Sequence, residues 1–268
     1  PGLFSAFFQN PGHPPLLEHL CVDPQFGGGA LAALPIALER QGAITVLPEA
    51  DLRLEVGDKL LFVGDSITDF WLFDDNPWVS GQKYGRKIWD QSFATPGTEN
   101  FAFNIGISGD RLEHVLYRIL PKAEGGLGHL DSPSLNPEFM IVMLGINNSW
   151  AAETPVAESI YQGVLANLRA LHARKPNARI ILLSLLPTHD VAKNKEVVLI
   201  VNQRLEALVR TSEFSKFTTY LNLYPAFTDA YGVQIAKYYT DGLHPNDSGY
   251  QIWRDRLIEF LKQARATR

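Results

Sequence analysis

The sequence predicts a doubly wound α/β domain built on a parallel sheet covered on both faces. Three observations carry the prediction. Runs of four to seven apolar-rich residues recur between residues 60 and 221. Amphipathic helical patterns lie between several of these runs. The runs are apolar at nearly every position rather than at alternate ones, as expected for strands buried on both faces.

The elements follow in order. Residues 1–30 carry Pro11, Pro14, Pro15, Pro24 and the run Gly27-Gly28-Gly29, with little periodicity. The glycines lack the trailing Lys-Ser/Thr of a phosphate-binding loop and follow no clear strand, so they read as a loop. Ala43–Leu47 and Asp51–Val56 read as short strands punctuated by Pro48 and Gly57-Asp58, a hairpin within an N-terminal extension over residues 1–58. From Lys59 the pattern changes. Leu60–Val63, Phe101–Ile105, Phe139–Leu144, Ile180–Leu186 and Phe217–Leu221 are the expected strands. Arg111–Leu120, Val156–Ala173, Lys195–Val209 and Gly249–Ala264 are the clearest helices. Residues 59–268 therefore form the expected principal domain.

Composition narrows the function. The 268 residues are 46% hydrophobic and 20% charged, enough apolar material for a full core and too much for a disordered chain. The net charge of −5, with no basic run, argues against nucleic acid as a partner. No apolar run approaches the roughly 18–20 residues of a membrane-spanning helix. The single cysteine, Cys21, excludes an intrachain disulfide and a multi-cysteine metal site. The start at Pro1, without Met or leader, reads as a trimmed end, and both a cytoplasmic and a secreted location stay open.

In open parallel sheets, ligands sit beyond the carboxyl ends of the strands. The segments there are Gly64-Asp65-Ser66-Ile67-Thr68, Gly106-Ile107-Ser108-Gly109-Asp110 and Gly145-Ile146-Asn147-Asn148, with Asp241-Gly242-Leu243-His244-Pro245 near the C-terminus. A serine nucleophile needs a base to take its proton, and the base needs an acid to orient it. Ser66, His244 and Asp241 fit those roles, and Asp and His three residues apart can share one turn. An oxyanion needs donors set in advance. The Ser66 and Gly109 N–H groups and the Asn147 amide are the candidates, and Gly109 lets the backbone approach without a Cβ.

The blocks GDSIT, NIGISGD, GINN and DGLHP resemble, in order, the four blocks of the SGNH (GDSL-type) hydrolases. The resemblance covers about residues 59–262. It implies a three-layer α/β/α flavodoxin-like sandwich, Ser66 as nucleophile, Gly109 and Asn147 as oxyanion donors, and Asp241 and His244 as acid and base. NIGISGDRLEHVLYRI followed by MLGINN is similar to platelet-activating-factor acetylhydrolase Ib catalytic subunits and carbohydrate-esterase relatives. This implies hydrolysis of short-chain, above all acetyl, esters. The substrate is then a small ester of a sugar, a lipid or an aryl alcohol, with no cofactor and no metal; a homo-oligomer is open.

Plainer roles stand beside these. Ser66 could be a helix cap ahead of Asp69, Asn147-Asn148 could cap the helix of the next segment, and Asp241 and His244 could be ordinary loop residues. Asp110 reads as structural rather than as the triad acid, His114 as structural, and His129, His172 and His189 as solvated. No HExxH-like spacing suggests a metal. The functional alternatives are a lipid-directed acylhydrolase and a non-catalytic ligand-binding or regulatory module. The last gains from a second likeness. Arg40–Phe62, with its Gly57-Asp58-Lys59-Leu60 turn, resembles the C-terminal regulatory lobe (TrkA-C type) of potassium-channel RCK proteins. A fusion, a chimera, a chance likeness and an accessory hairpin remain open for this segment.

Overall fold

The computed structural model describes residues 59–76, 79–151 and 153–267, together with two short N-terminal strands. These strands, β1 (Glu39–Arg40) and β2 (Ala43–Ile44), pair antiparallel. Ala43–Ile44 of the expected strand Ala43–Leu47 thus pairs with Glu39–Arg40, while the expected partner strand Asp51–Val56 lies outside the described residues. The rest of that expectation, including the likeness to the RCK lobe, lies outside the described residues.

The principal domain is a five-stranded parallel sheet of order β4-β3-β5-β6-β7. Its strands are β3 (Leu60–Gly64), β4 (Ala102–Asn104), β5 (Phe139–Met143), β6 (Arg179–Leu183) and β7 (Thr218–Leu221). All five fall on the expected apolar runs. Every residue of β3 and β5 is buried. Helices α1 (Ser66–Asp69), α2 (Arg86–Ser92), α3 (Leu112–Ile119), α4 (Val156–Arg174), α5 (Leu199–Leu208) and α6 (Asp247–Ala266) complete the fold. The two short helices α1 and α2 were not among the expected ones.

The chain steps from β3 to β4 in one direction and then, from β4 through β7, in the other. Because parallel crossovers are right-handed, that reversal puts α2 on one face and α3, α4 and α5 on the opposite face. Helix α6 packs beside α2, and α3 beside α4, which also contacts α5. This is the three-layer sandwich that the sequence implied, with the flavodoxin-type strand order. Its ligand crevice is expected between the carboxyl ends of β3 and β5.

An aromatic cluster fixes the chain on the β3 side of that crevice. Phe62 of β3 meets Trp71, Trp89 and Phe93 edge-on at 6.2, 5.1 and 5.3 Å. Trp71 in turn packs on Tyr250 and Trp253 of α6 at 4.6 and 5.1 Å. Such pairs contribute about 0.5–1.5 kcal/mol each beyond their buried area. The cluster thereby clamps α2, α6 and the segment just after Ser66 to the first strand of the sheet.

Two elements depart from the expected limits for a clear reason. The run Ile180–Leu186 leaves the sheet after Leu183, although its residues stay buried. There the Ser184 hydroxyl accepts the Leu223 and Tyr224 N–H groups, and the Asn202 amide bonds both the N–H and the carbonyl of Leu185. Side chains take over the backbone bonding of a buried loop. The helix expected from Lys195 to Val209 is α-helical only from Leu199; Asn194–Val198 forms a π-helical turn. Its first residue, Asn194, is buried and accepts the Thr188 N–H while donating to the Thr188 carbonyl.

Candidate active site

Ser66 opens α1 directly beyond β3. The preceding Asp65 caps that helix by accepting the Ile67 N–H at 3.0 Å. The Tyr250 hydroxyl of α6 donates to the Ile67 carbonyl at 2.8 Å, and the Asn104 amide to the Thr68 carbonyl at 2.7 Å. The nucleophile candidate is therefore held from both the α6 side and the β4 side.

The C-terminal loop comes to it from 178 residues away in sequence. His244 Nε2 lies 2.9 Å from Ser66 Oγ, and His244 Nδ1 lies 2.7 Å from Asp241 Oδ2. The other Asp241 oxygen accepts the Leu243 and His244 N–H groups at 2.9 and 2.8 Å. Burial alone would push the Asp241 carboxyl up. Its bonds from the His244 side chain, the His244 N–H and the Leu243 N–H outweigh that and hold it at about 2. The His244 ring also rests on Phe70, with ring centroids 4.9 Å apart. An ionised carboxylate, an imidazole and a hydroxyl in one hydrogen-bonded row can move a proton off the serine.

The other two expected residues are wired to this row. Gly109 has φ +85°, a conformation that favours glycine. Its neighbour Ser108 donates its N–H to Asp69 of α1 at 3.0 Å, and Ile107 donates to the Gly64 carbonyl at 3.2 Å. Gly106 sits so close to α1 that a Cβ there would lie 2.6 Å from the Asp69 nitrogen. Asn147 follows β5 in the 3₁₀ turn Ile146–Trp150, and its amide donates to the Asp110 carbonyl at 2.8 Å. That bond uses one amide hydrogen and leaves the second. Neither the Ser66 nor the Gly109 N–H donates to another group among the described residues. The structure thus brings Ser66, His244 and Asp241 together directly, and connects Gly109 and Asn147 to them through Asp69 and Asp110.

Asp110 is structural, as expected, through a pairing not foreseen. Its carboxylate meets Arg118 Nε at 2.7 Å, with both residues buried. Burial pushes the Asp110 carboxyl up, and the guanidinium pulls it back. Arg118 also bonds the Ile105 carbonyl at 2.9 Å and approaches His129 Nδ1 at 3.3 Å. His129 is therefore not solvated. Burial first, then Arg118 and Lys122, hold it down at about 4. His172 is not solvated either; it stacks on Phe217 with centroids 3.8 Å apart. His189 is exposed, and His114 accepts the Arg111 N–H at the start of α3. Asn148 bonds the preceding helix rather than capping the following one, whose N-cap is Pro155: its side chain accepts the Leu112 N–H of α3.

Sequence reasoning missed Asp69, Asn104, Arg118 and Tyr250 as parts of the site's frame. Asn104 was the most legible of them, a lone amide closing an apolar strand. Among the described residues no group of three His, Cys, Asp or Glu side chains could hold a metal ion, and no helix is long and apolar enough to cross a membrane.

Comparison with known proteins places the chain in a family. Residues 62–252 match the model of the GDSL-like lipase/acylhydrolase family. The match begins after the extension and lends nothing to its likeness to the RCK lobe. The platelet-activating factor acetylhydrolase IB subunit alpha1 of Pongo abelii is 27% identical over 193 residues, covering 72% of this chain and 70% of the relative. The human alpha2 subunit is 32% identical over 128 residues, covering 48% and 44%. Among solved structures, a GDSL-like lipase from Bacteroides thetaiotaomicron matches with TM-score 0.54 at 18% identity, covering 77% of this chain and 89% of that one. An acetyl xylan esterase from the rumen bacterium Butyrivibrio proteoclasticus matches with TM-score 0.53 at 15% identity, covering 79% and 65%. These structural likenesses speak for the fold, and the family match speaks for the chemistry: the chain belongs to the GDSL-like lipase/acylhydrolase family, and with it to the carboxylic ester hydrolases.

Proposed function

We propose that this chain is a serine esterase that removes short acyl groups, acetyl above all, through an acyl-enzyme. The observation that carries the reading is the row Ser66 Oγ–His244 Nε2–Asp241, at 2.9 and 2.7 Å. Ser66 Oγ attacks the ester carbonyl while neutral His244 takes its proton at Nε2. Asp241, kept ionised by its three hydrogen bonds, orients the ring and stabilises the imidazolium. The carbonyl oxygen becomes an anion facing the Ser66 and Gly109 N–H groups and the free hydrogen of the Asn147 amide. His244 then protonates the alcohol oxygen as the C–O bond breaks. Water, deprotonated by His244, attacks the acyl-serine; collapse of the second tetrahedral adduct releases the acid and returns the proton to Ser66.

The preference for acetyl is supported by the likeness to acetylhydrolase subunits whose names state that activity. The test is an acyl-chain series of p-nitrophenyl esters with the wild type and Ser66→Ala. The wild type should turn over the acetate fastest. The variant should fold normally and lose several orders of magnitude, because members of such a triad act as a unit. Covalent labelling of Ser66 by an organophosphate should block the wild type. A long-chain optimum would favour a lipid-directed enzyme. No turnover of any ester, or a variant retaining more than about a tenth of the activity, would sink the reading.

A further inference from the structure

Trp150 stands apart from the other described tryptophans. Trp71, Trp89 and Trp253 are at most 5% exposed and belong to the core, whereas Trp150 is 54% exposed. Its position is nevertheless fixed. Lys193, from the turn after β6, places Nζ 4.0 Å over the indole and donates to the Ser149 carbonyl at 3.1 Å and to the Ser149 hydroxyl at 3.2 Å. Lys193 is held in turn, since its N–H donates to the Asp190 carboxylate at 3.0 Å. An exposed indole normally loses freedom only when something binds it; this one is oriented in advance by a cation.

Its location gives that orientation a use. Trp150 and Asn147 lie three residues apart in the 3₁₀ turn Ile146–Trp150. In such a turn, side chains at i and i+3 eclipse, and one turn rises about 6 Å. The two side chains therefore leave the same side of the turn, one turn apart. The turn that carries Lys193 also reaches the other wall of the site, because the His189 N–H donates to the Gly242 carbonyl at 2.8 Å, inside the Asp241–His244 loop. The Ser149–Trp150 segment thus joins the His189–Lys193 segment through Lys193, and that segment in turn joins the Asp241–His244 loop, with His189 and Asp190 exposed between them.

We propose that Trp150, set by Lys193, is a specificity-determining platform on which the alcohol part of the ester, a sugar ring, stacks. The proposal rests on the esterase reading above. A sugar presents a face of C–H groups suited to an indole and a periphery of hydroxyls suited to Lys193, Asp190 and His189. A flat aromatic face bordered by charged and polar side chains offers both at once. An alkyl chain would gain from the indole alone.

The test compares acetates that share the acyl group and differ in the alcohol: methyl acetate against acetylated xylo-oligosaccharides. The wild type should have the higher kcat/KM on the sugar acetate. Trp150→Ala should lower kcat/KM at least ten times more on the sugar acetate than on methyl acetate, mainly through KM, and Trp150→Phe should restore most of the difference. Lys193→Ala should give the same selective loss, smaller in size. Equal losses on both acetates, or none, would overturn the platform. So would a wild type that prefers methyl acetate. A loss growing with acyl length from methyl acetate to methyl hexanoate would assign the indole to the acyl group, which also overturns it. Absence of all turnover by the wild type would instead mark failure of the esterase reading itself.

Discussion

Replacing Asp65 by Asn should change the pH dependence of stability, and the structure gives both the sign and the size. Asp65 is fully buried beside Ser66, the proposed nucleophile. One carboxyl oxygen accepts the Ile67 N–H, while the other is buried without a partner. Burial, offset in part by that N–H and by His244, pushes the carboxyl from the ordinary 3.8 up to about 7. Between those values the folded protein keeps a proton that the unfolded chain has lost. Stability contributed by this group is therefore full below about pH 4 and falls as pH rises to about 7. At about 1.36 kcal/mol per pH unit, the span corresponds to about 4 kcal/mol.

Asn cannot ionise, so the variant lacks this decline. It does leave amide hydrogens buried without a partner, a cost of about 1–3 kcal/mol at every pH. The wild type should therefore be the more stable protein near pH 4.5. The gap should close with rising pH, and by pH 8 the variant should equal or exceed it. Urea unfolding of both proteins at half-unit steps between pH 4.5 and 8 measures the difference, in which titrations common to both cancel. A stability difference that stays constant across this range would refute the argument. It would mean that Asp65 is ionised in the fold at all these pH values or is solvated there.

Two further outcomes follow from the wiring of the site. Asn147→Ala should lower kcat on the acetate by about 10²–10³ with little change in KM, as loss of an oxyanion donor does; a raised KM at constant kcat would reduce Asn147 to substrate binding. Arg118→Met leaves the Asp110 carboxylate buried without its partner and should cost about 3–5 kcal/mol in unfolding experiments. Because the Asp110 carbonyl anchors the Asn147 amide, kcat should fall as well at temperatures where the variant is folded, and a variant that is destabilised yet fully active would separate the ion pair from the site.

What could be read from the sequence and what could not divide along a physical line. Strands such as Phe139–Met143 were legible because burial on both faces demands apolar residues at consecutive positions, and a one-dimensional pattern records that demand. Ser66, Asp241 and His244 were legible as a hydrogen-bonded row because the roles proposed for them restrict them to few residue types at strand ends and on one tight turn. Helix α2 escaped because it is only seven residues long, Arg86–Ser92, too short to display a period. The π-helical turn at Asn194–Val198 escaped because its cause is tertiary, the Asn194 amide bonding Thr188 across a buried loop.

The same line separates the reacting groups from the groups that hold them. Asp69 in a first helical turn, Arg118 near the end of a helix and Asn148 beside Asn147 each have an ordinary local explanation in sequence. Their partners, Ser108, Asp110 and Leu112, lie eight to thirty-nine residues away, joined only when the strands assemble. His129 shows the consequence most plainly. As a residue in a loop it reads as solvated; burial first, and then the Arg118 guanidinium beside it, hold its pKa down at about 4. The chemistry proposed for this chain rests on a few residues with unusual reactivity. Its precision comes from common residues given a task by the fold, so the pairs Asp69–Ser108 and Asp110–Arg118 emerge only when the structure sets them side by side.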